Sequence, residues 1–172
     1  MVMTLNGLAK LTEEIGELIQ VVGKKIAYTD GTHPDGKGDL NSRMQEEMGD
    51  VIAAIRFVFG KLELDIDAVN AIAEHELTPA FLNGLPQLVR SLGSLSYSAS
   101  DMMISIIHTG EQEADQSATQ KMAGIASLQY EMGLSLASIK LVAKSLNLDQ
   151  QAINNRIAKK IWQYEAWDRQ KP

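Results

Sequence analysis

The sequence predicts an all-α protein, and three observations support that prediction. Apolar residues recur every three or four positions through most of the chain, which is the period of a helix with one buried face. The alternation of apolar and polar residues that marks a half-buried strand does not persist anywhere. Short stretches rich in glycine, proline and aspartate separate the periodic segments, as expected for connections between helices.

Three helices are predicted in the first half. The first carries an apolar stripe of Leu5, Leu8, Leu11, Ile15, Leu18, Val22 and Ile26. A loop at 29–39, with three glycines and a proline, ends it. Asn41 or Ser42 is predicted to cap a second helix that runs to about Leu62, and Asp65 to cap a short third helix that ends at Thr78-Pro79.

The second half repeats the first. With a shift of 77, positions 5–18 match 82–95 at seven of fourteen places; with a shift of 84, positions 47–70 match 131–154 at eleven of twenty-four. The two shifts differ by seven residues, which places an insertion in the second half around 110–119. Such self-similarity indicates an internal duplication. We expect two repeats, 1–79 and 80–172, packed as one helical bundle about a pseudo-twofold axis, as two chains pack in a homodimer. A further homo-oligomer stays open.

Composition excludes several classes of protein. The chain has no cysteine, so disulfides and thiolate metal sites are excluded and a cytoplasmic location is expected. No apolar run approaches the roughly 20 residues of a membrane helix, so no membrane partner is expected. The net charge of −6 argues against a nucleic acid polymer as partner. Residues 1–80 carry a net charge of −7 and residues 81–172 a net charge of +1.

Two acidic motifs account for part of this asymmetry. Glu14 and Glu17 lie three apart on the first predicted helix, and Glu47 and Asp50 lie three apart on the second. Residues three apart share a helix face, and these acids border the apolar stripes. Packed helices would therefore bring four carboxylates together. Converging carboxylates repel one another unless a cation lies between them, and hard oxygen ligands suit Mg²⁺ or Mn²⁺.

The second repeat serves as an internal control for these acids. At the corresponding positions it has Ser91 for Glu14, Ser94 for Glu17, Glu131 for Glu47 and Leu134 for Asp50. Glycines and apolar residues of the framework persist while three of the four acids are gone. The pattern indicates a site kept in one copy and lost in the other.

These motifs resemble a known family. Glu13-Glu14-Ile15-Gly16-Glu17-Leu18, followed after a loop by Glu46-Glu47-Met48-Gly49-Asp50-Val51, is similar to the MazG-type nucleotide pyrophosphohydrolases of the all-α NTP pyrophosphatase superfamily. That superfamily is marked by Glu-x-x-Glu, a spacer and Glu-x-x-Asp, and the resemblance covers roughly residues 5–76. It implies that all four acids bind Mg²⁺, and that the chain hydrolyses a nucleoside triphosphate to the monophosphate and pyrophosphate. Residues 80–172 are then a degenerate MazG-like repeat.

Within that chemistry, Glu14 or Glu17 could hold the attacking water or take its proton. Lys24, Lys25 and Lys37 are candidate ligands of the substrate phosphates. Two features depart from the family. Lys24 stands where some members have an aromatic residue, and the third helix of the first half lacks the Lys/Asn/Arg pattern with which many members end it. The corresponding part of the second half, 155–160, is basic. We therefore hypothesise that the second repeat lends basic and aromatic groups to one site: Arg156, Lys160, Trp162 and Tyr164.

Other functions stay open at this point. A di-iron bundle normally has Glu-x-x-His on two helices, and His33, His75 and His108 fall in no such spacing. A non-catalytic nucleotide-binding regulator, or an all-α interaction protein that kept its acids by accident, is the main alternative to an enzyme. Neither the base and sugar of the nucleotide nor the number of metal ions follows from the sequence.

Overall fold

The computed structural model describes residues 2–28, 35–36, 38–75, 84–108 and 114–170, without the side chains of 2–4 and 114–121. Six α-helices account for nearly all of these residues. The helices are α1 (Val2–Ala27), α2 (Leu40–Leu62), α3 (Ile66–His75), α4 (Leu85–His108), α5 (Ala114–Ser145) and α6 (Gln150–Arg169). The predicted all-α class is confirmed. Within these ranges, no helix has both the length and the apolar character required to cross a bilayer.

The start of α2 differs from the prediction. Asp39, and not Asn41 or Ser42, is the cap: its Oδ2 accepts hydrogen bonds from the Ser42 backbone N–H at 2.7 Å and from the Ser42 hydroxyl at 3.0 Å. The carboxylate thereby satisfies an amide that has no partner inside the helix. Asp65 caps α3 as predicted, accepting from the backbone N–H groups of Asp67 and Ala68 at 3.0 Å. The predicted end at Thr78-Pro79 lies outside the described residues.

The two halves share details of local conformation. Asp149, 84 residues after Asp65, caps α6 by accepting from the N–H groups of Gln151 and Ala152. Glu63 and Asn147, also 84 apart, both have left-handed backbone, with φ of 52° and 51°. The second hairpin is longer than the first, because α5 has 32 residues and α2 has 23. The insertion expected around 110–119 therefore extends into α5, while 109–113 lie outside the described residues.

One hydrophobic core joins the helices of both halves. α1 packs against α2 and α4, and α4 packs against α5. Between the halves, α2 packs against α6 and α3 packs against α5. Every helix contributes buried side chains to a single cluster, among them Leu8, Met48, Val69, Leu92, Met132 and Ile153. The helix pairs α1–α2 and α2–α6 are the ones that position the acidic residues.

Candidate metal centre

Three of the four predicted acids converge where α1 packs against α2. Glu14 of α1 and Glu47 and Asp50 of α2 each offer a carboxylate oxygen, and these oxygens lie within 4.8 Å of one another. Glu14 is 0% exposed, Asp50 is 1% exposed and Glu47 is half-buried. Buried carboxylates are costly without compensating charge, so this acidic cluster must be balanced by cations of the protein or by a bound ion.

Glu17 lies at the exposed edge of the cluster, one turn after Glu14. Partial burial, together with a hydrogen bond and the negative charge of Glu14, raises the pKa of Glu17. Its own charge in turn contributes to the raised pKa of Glu47. All four predicted acids therefore interact electrostatically, with three in the cluster and Glu17 beside it.

The cations that balance the cluster come mainly from α6, more than 100 residues away in sequence. Arg156 binds Asp50 with two parallel hydrogen bonds, Nε to Oδ1 and a terminal nitrogen to Oδ2, both at 2.6 Å. This fork geometry is the strong form of an arginine–carboxylate pair. Lys160 lies between two acids, with its Nζ 2.9 Å from Asp50 Oδ2 and 3.1 Å from Glu14 Oε1. Hydrogen bonding to Asp50 raises the pKa of Arg156, so this guanidinium stays charged.

Glu14 has three donors on one oxygen. Its Oε1 accepts from the Tyr164 hydroxyl at 2.8 Å and lies 3.1 Å from both Lys160 Nζ and Lys10 Nζ. Burial alone would raise the pKa of Glu14, but the hydrogen bonds from Tyr164, Lys10 and Lys160 outweigh it and lower that pKa. Burial and the Glu14 charge raise the pKa of Tyr164, which keeps its proton and donates it.

Glu47 differs from its neighbours because no lysine or arginine among the described residues forms an ion pair with it, although the charge of Arg156 acts on it from a distance. Its pKa is raised to about 7 by burial and by the negative charges of Glu17, Asp50 and Glu14. Its Oε2 is buried and has no hydrogen-bond partner within the described part of the chain, and the same holds for Glu14 Oε2. Within the described residues, the cluster therefore has one carboxylate without an ion-pair partner and two buried oxygens available to a ligand.

Gly49, inside the second acidic motif, allows α6 to approach. A Cβ at this position would lie 2.8 Å from Cβ and Cγ of Arg156 and 3.2 Å from the carbonyl oxygen of Ile153. Both distances are shorter than ordinary van der Waals contacts. Glycine between Met48 and Asp50 therefore brings the backbone of α6 close enough for Arg156 to reach the carboxylate that follows.

Two of the predicted phosphate ligands, Lys24 and Lys25, are not part of the cluster. Lys24 forms an ion pair with Asp35 at 2.8 Å, and the charge of Lys25 acts on Asp39, the cap of α2. Lys37 lies outside the described residues. Trp162 is 66% exposed, and no contact joins it to the acidic cluster among the described residues. Of the residues hypothesised from the second half, Arg156, Lys160 and Tyr164 contact the acids.

No histidine lies among the residues that could hold a metal within the described part of the chain. His75 and His108 end α3 and α4, and His33 falls outside the description. Lys10 was not singled out from the sequence, although its spacing of four before Glu14 was the available signal.

The corresponding positions of the second half hold a different set of groups. Ser91 is buried in α4, and its hydroxyl donates to the Leu88 carbonyl oxygen. Ser135 donates to the Ser91 carbonyl oxygen at 3.2 Å. Glu131 keeps a buried Oε2 without a partner in the described residues, and burial raises its pKa. One acid remains where the first half has a cluster.

No protein-family model, curated protein or solved structure matches this chain. The function must therefore be argued from the geometry of the acidic cluster and the motifs that form it.

Proposed function

We propose that the protein is a Mg²⁺-dependent nucleoside triphosphate pyrophosphohydrolase with a single active site at the acidic cluster. The observation that carries the proposal is the convergence of Glu14, Glu47 and Asp50, with two buried carboxylate oxygens that have no protein partner among the described residues. The order of the acidic motifs, similar to that of MazG-type enzymes, supports the choice of reaction.

The donor set fits Mg²⁺. Mg²⁺ holds oxygens at about 2.1 Å, so two ligands on opposite sides of one ion are about 4.2 Å apart. Oxygens at neighbouring positions of the octahedron are about 3 Å apart, so the cluster, with oxygens within 4.8 Å of one another, would contract around the ion. All the donors are carboxylates, which suit Mg²⁺ or Mn²⁺ better than softer metals. Glu14, Glu47 and Asp50 would hold the ion, and Glu17 would join from the exposed edge.

The protein residues have separate parts in this proposal. A bound Mg²⁺ would supply charge neutralisation for the triphosphate and a polarised water. Glu17, exposed beside Glu14, is placed to hold the attacking water or accept its proton. Lys160 and Arg156 contact the cluster and are partly exposed, so they could neutralise phosphate oxygens. The substrate would be a nucleoside triphosphate; its base and sugar are left open.

We also propose that the two repeats are related by a pseudo-twofold axis. The helix contacts support it: α2 packs on α6 as α5 packs on α3. Gly133, 84 residues after Gly49, makes the equivalent close approach, since a Cβ there would lie 2.6 Å from Ile72 and 3.0 Å from the Val69 carbonyl oxygen. Ile72 in turn lies 84 residues before Arg156. Each second helix thus packs through one glycine against the third helix of the other repeat.

A substrate panel tests the proposed activity. The protein is incubated with each canonical nucleoside triphosphate and Mg²⁺, and pyrophosphate and monophosphate are measured. We expect release of both from at least one nucleotide, loss of release in Glu47→Gln, and no change in Glu131→Gln, which removes the matching acid of the degenerate half. Calorimetric titration with Mg²⁺ and Mn²⁺ gives a readout independent of turnover. Full activity in both Glu47→Gln and Asp50→Asn would refute the assignment.

One observation favours a second candidate, a nucleotide-binding regulator without turnover. Both oxygens of Asp50 are already hydrogen-bonded to Arg156 and Lys160, so the cluster is partly neutralised by the protein itself. Nucleotide binding without release of pyrophosphate from any member of the panel would identify the regulator. Absence of both nucleotide and Mg²⁺ binding would leave the acidic cluster as a structural charge network.

A further inference from the structure

A large cavity lies on the far side of α2 from the acidic cluster. It has a volume of about 750 Å³ and is lined by residues of α2, α3, α5 and α6. That volume is within the roughly 300–1,000 Å³ usual for small-molecule sites. Its lining residues Ile52 and Arg56 follow Asp50 by two and six positions, which places them about 200° and 240° round the helix from that acid at 100° per residue. The cavity is therefore separate from the acidic cluster.

The two repeats contribute to this cavity in pairs. Twelve of its fifteen lining residues form six pairs that are 84 positions apart in sequence. Arg56 of α2 pairs with Lys140 of α5, and Asn70 of α3 pairs with Asn154 of α6. Both halves thus place one positive charge and one side-chain amide at this cavity, whereas only the first half has the full set of acids at the cluster. These two polar pairs are kept on both sides, whereas the pair of Ile66 and Gln150 differs in polarity.

The floor and the rim of the cavity differ in character. The floor is apolar and includes the buried side chains of Phe59 and Ile153. The rim carries the two exposed cations, Arg56 and Lys140, against one acid, Glu74. Within the described residues, neither cation forms an ion pair with the protein. An occupant that complements this surface has an apolar body with one or two negative charges.

We infer that this cavity, here called the inter-repeat cavity, binds a small organic anion with a flat or aliphatic apolar body. The body packs on the floor between α2 and α5, and its carboxylate or phosphate group pairs with Arg56 and Lys140. The amides of Asn70 and Asn154 supply hydrogen bonds to polar edges of the ligand. This site is independent of the proposed nucleotide hydrolysis, so either assignment can fail without the other.

The test uses the full chain and the fluorescent aromatic anion 1-anilinonaphthalene-8-sulfonate as probe. We expect saturable binding of one dye per chain that weakens with added salt, because exposed charge pairs are screened. Arg56→Gln/Lys140→Gln should weaken the dye roughly three- to tenfold, consistent with two exposed ion pairs of modest strength. The control Arg90→Gln/Lys144→Gln removes two exposed cations outside the cavity and should leave binding unchanged.

A steric variant keeps the test sharp. Asn154→Trp places an indole at the exposed rim and should abolish dye binding while the helical circular dichroism is retained. Displacement of the dye by adenosine monophosphate or by decanoate would separate a nucleotide ligand from a fatty carboxylate, and either result supports the site. Absence of saturable binding, displacement by neither anion, or equal binding by wild type and both cavity variants would overturn the inference.

Discussion

Replacement of Gly49 by alanine tests how the acidic cluster is assembled, and the chain offers its own control. The new Cβ would lie 2.8 Å from Cβ and Cγ of Arg156, and the Ile153 carbonyl oxygen is 3.2 Å away. The nearest atoms are the first two side-chain carbons of Arg156 and a backbone oxygen, and these cannot move away without the helix. The substitution must therefore displace α6. Gly133→Ala makes the equivalent clash with Ile72, at 2.6 Å, in the half that has lost its acids.

The cost to stability should be similar in the two variants. Overpacking of a well-packed contact costs about 1–3 kcal/mol, while replacing a helical glycine by alanine returns up to about 1 kcal/mol. A net loss of about 1 kcal/mol lowers Tm by roughly 2–4 °C in a chain of this size. Gly49 lies at the α2–α6 contact and Gly133 at the α3–α5 contact. Because each substitution affects a single helix contact, neither variant should unfold the protein.

The effect on metal binding should differ between them. In Gly49→Ala, displacement of Arg156 and Lys160 disturbs the carboxylates that they orient, and loss of such supporting contacts typically weakens metal affinity about 10–100-fold. In Gly133→Ala, Mg²⁺ affinity should equal that of wild type. Calorimetric titration with Mg²⁺, with thermal unfolding in parallel, measures both quantities. Wild-type affinity in Gly49→Ala, or equal weakening in both variants, would refute the proposed link between the α2–α6 approach and the site.

Three further outcomes are expected. Arg156→Gln should lower the free energy of unfolding by about 2 kcal/mol, since it removes both of its bonds to a buried carboxylate, and saturating Mg²⁺ should restore part of that loss in urea unfolding. The pKa of Glu47 is raised from 4.5 to about 7 in the folded protein, so between these pH values only the unfolded chain releases the proton. The metal-free wild type should therefore lose stability relative to Glu47→Gln as pH rises from about 4.5 to 7. Urea unfolding at pH 5 and pH 8 measures the difference. Mg²⁺ affinity should rise with pH through the same window, as binding displaces that proton, and a pH-independent affinity would contradict Glu47 as a ligand.

The sequence predicted the helices, and it predicted that the acids of each motif share a helix face, because both follow from local patterns. The period of the apolar residues defined the elements, and the spacing of three in each motif placed Glu14 with Glu17 and Glu47 with Asp50 on common faces. The predicted position of the α2 cap was wrong by two or three residues. Asp, Asn and Ser are all good caps, and only the backbone conformation decides among Asp39, Asn41 and Ser42.

The cations were harder to place because they belong to another repeat. Lys24 and Lys25 were chosen for their closeness in sequence to Glu17, yet they lie near Asp35 and Asp39. Arg156, by contrast, is 106 residues from Asp50, and its reach depends on the close approach at Gly49. The available signal was the basic stretch at 155–160, at the positions where the third helix of the first half has no lysine or arginine.

The replacement of one whole ion pair supports the proposal that the acids and the cations act together. Under the proposed twofold, Asp50 and Arg156 correspond to Leu134 and Ile72, so an ion pair in one half corresponds to two apolar residues in the other. Apolar replacement of a buried ion pair is usually neutral or stabilising, whereas removal of one partner is costly. Stability alone therefore gives no reason to keep the charged pair in the first half. Its presence beside Glu14 and Glu47, with two carboxylate oxygens unpaired within the described residues, supports the proposal that the site binds a ligand that needs those charges.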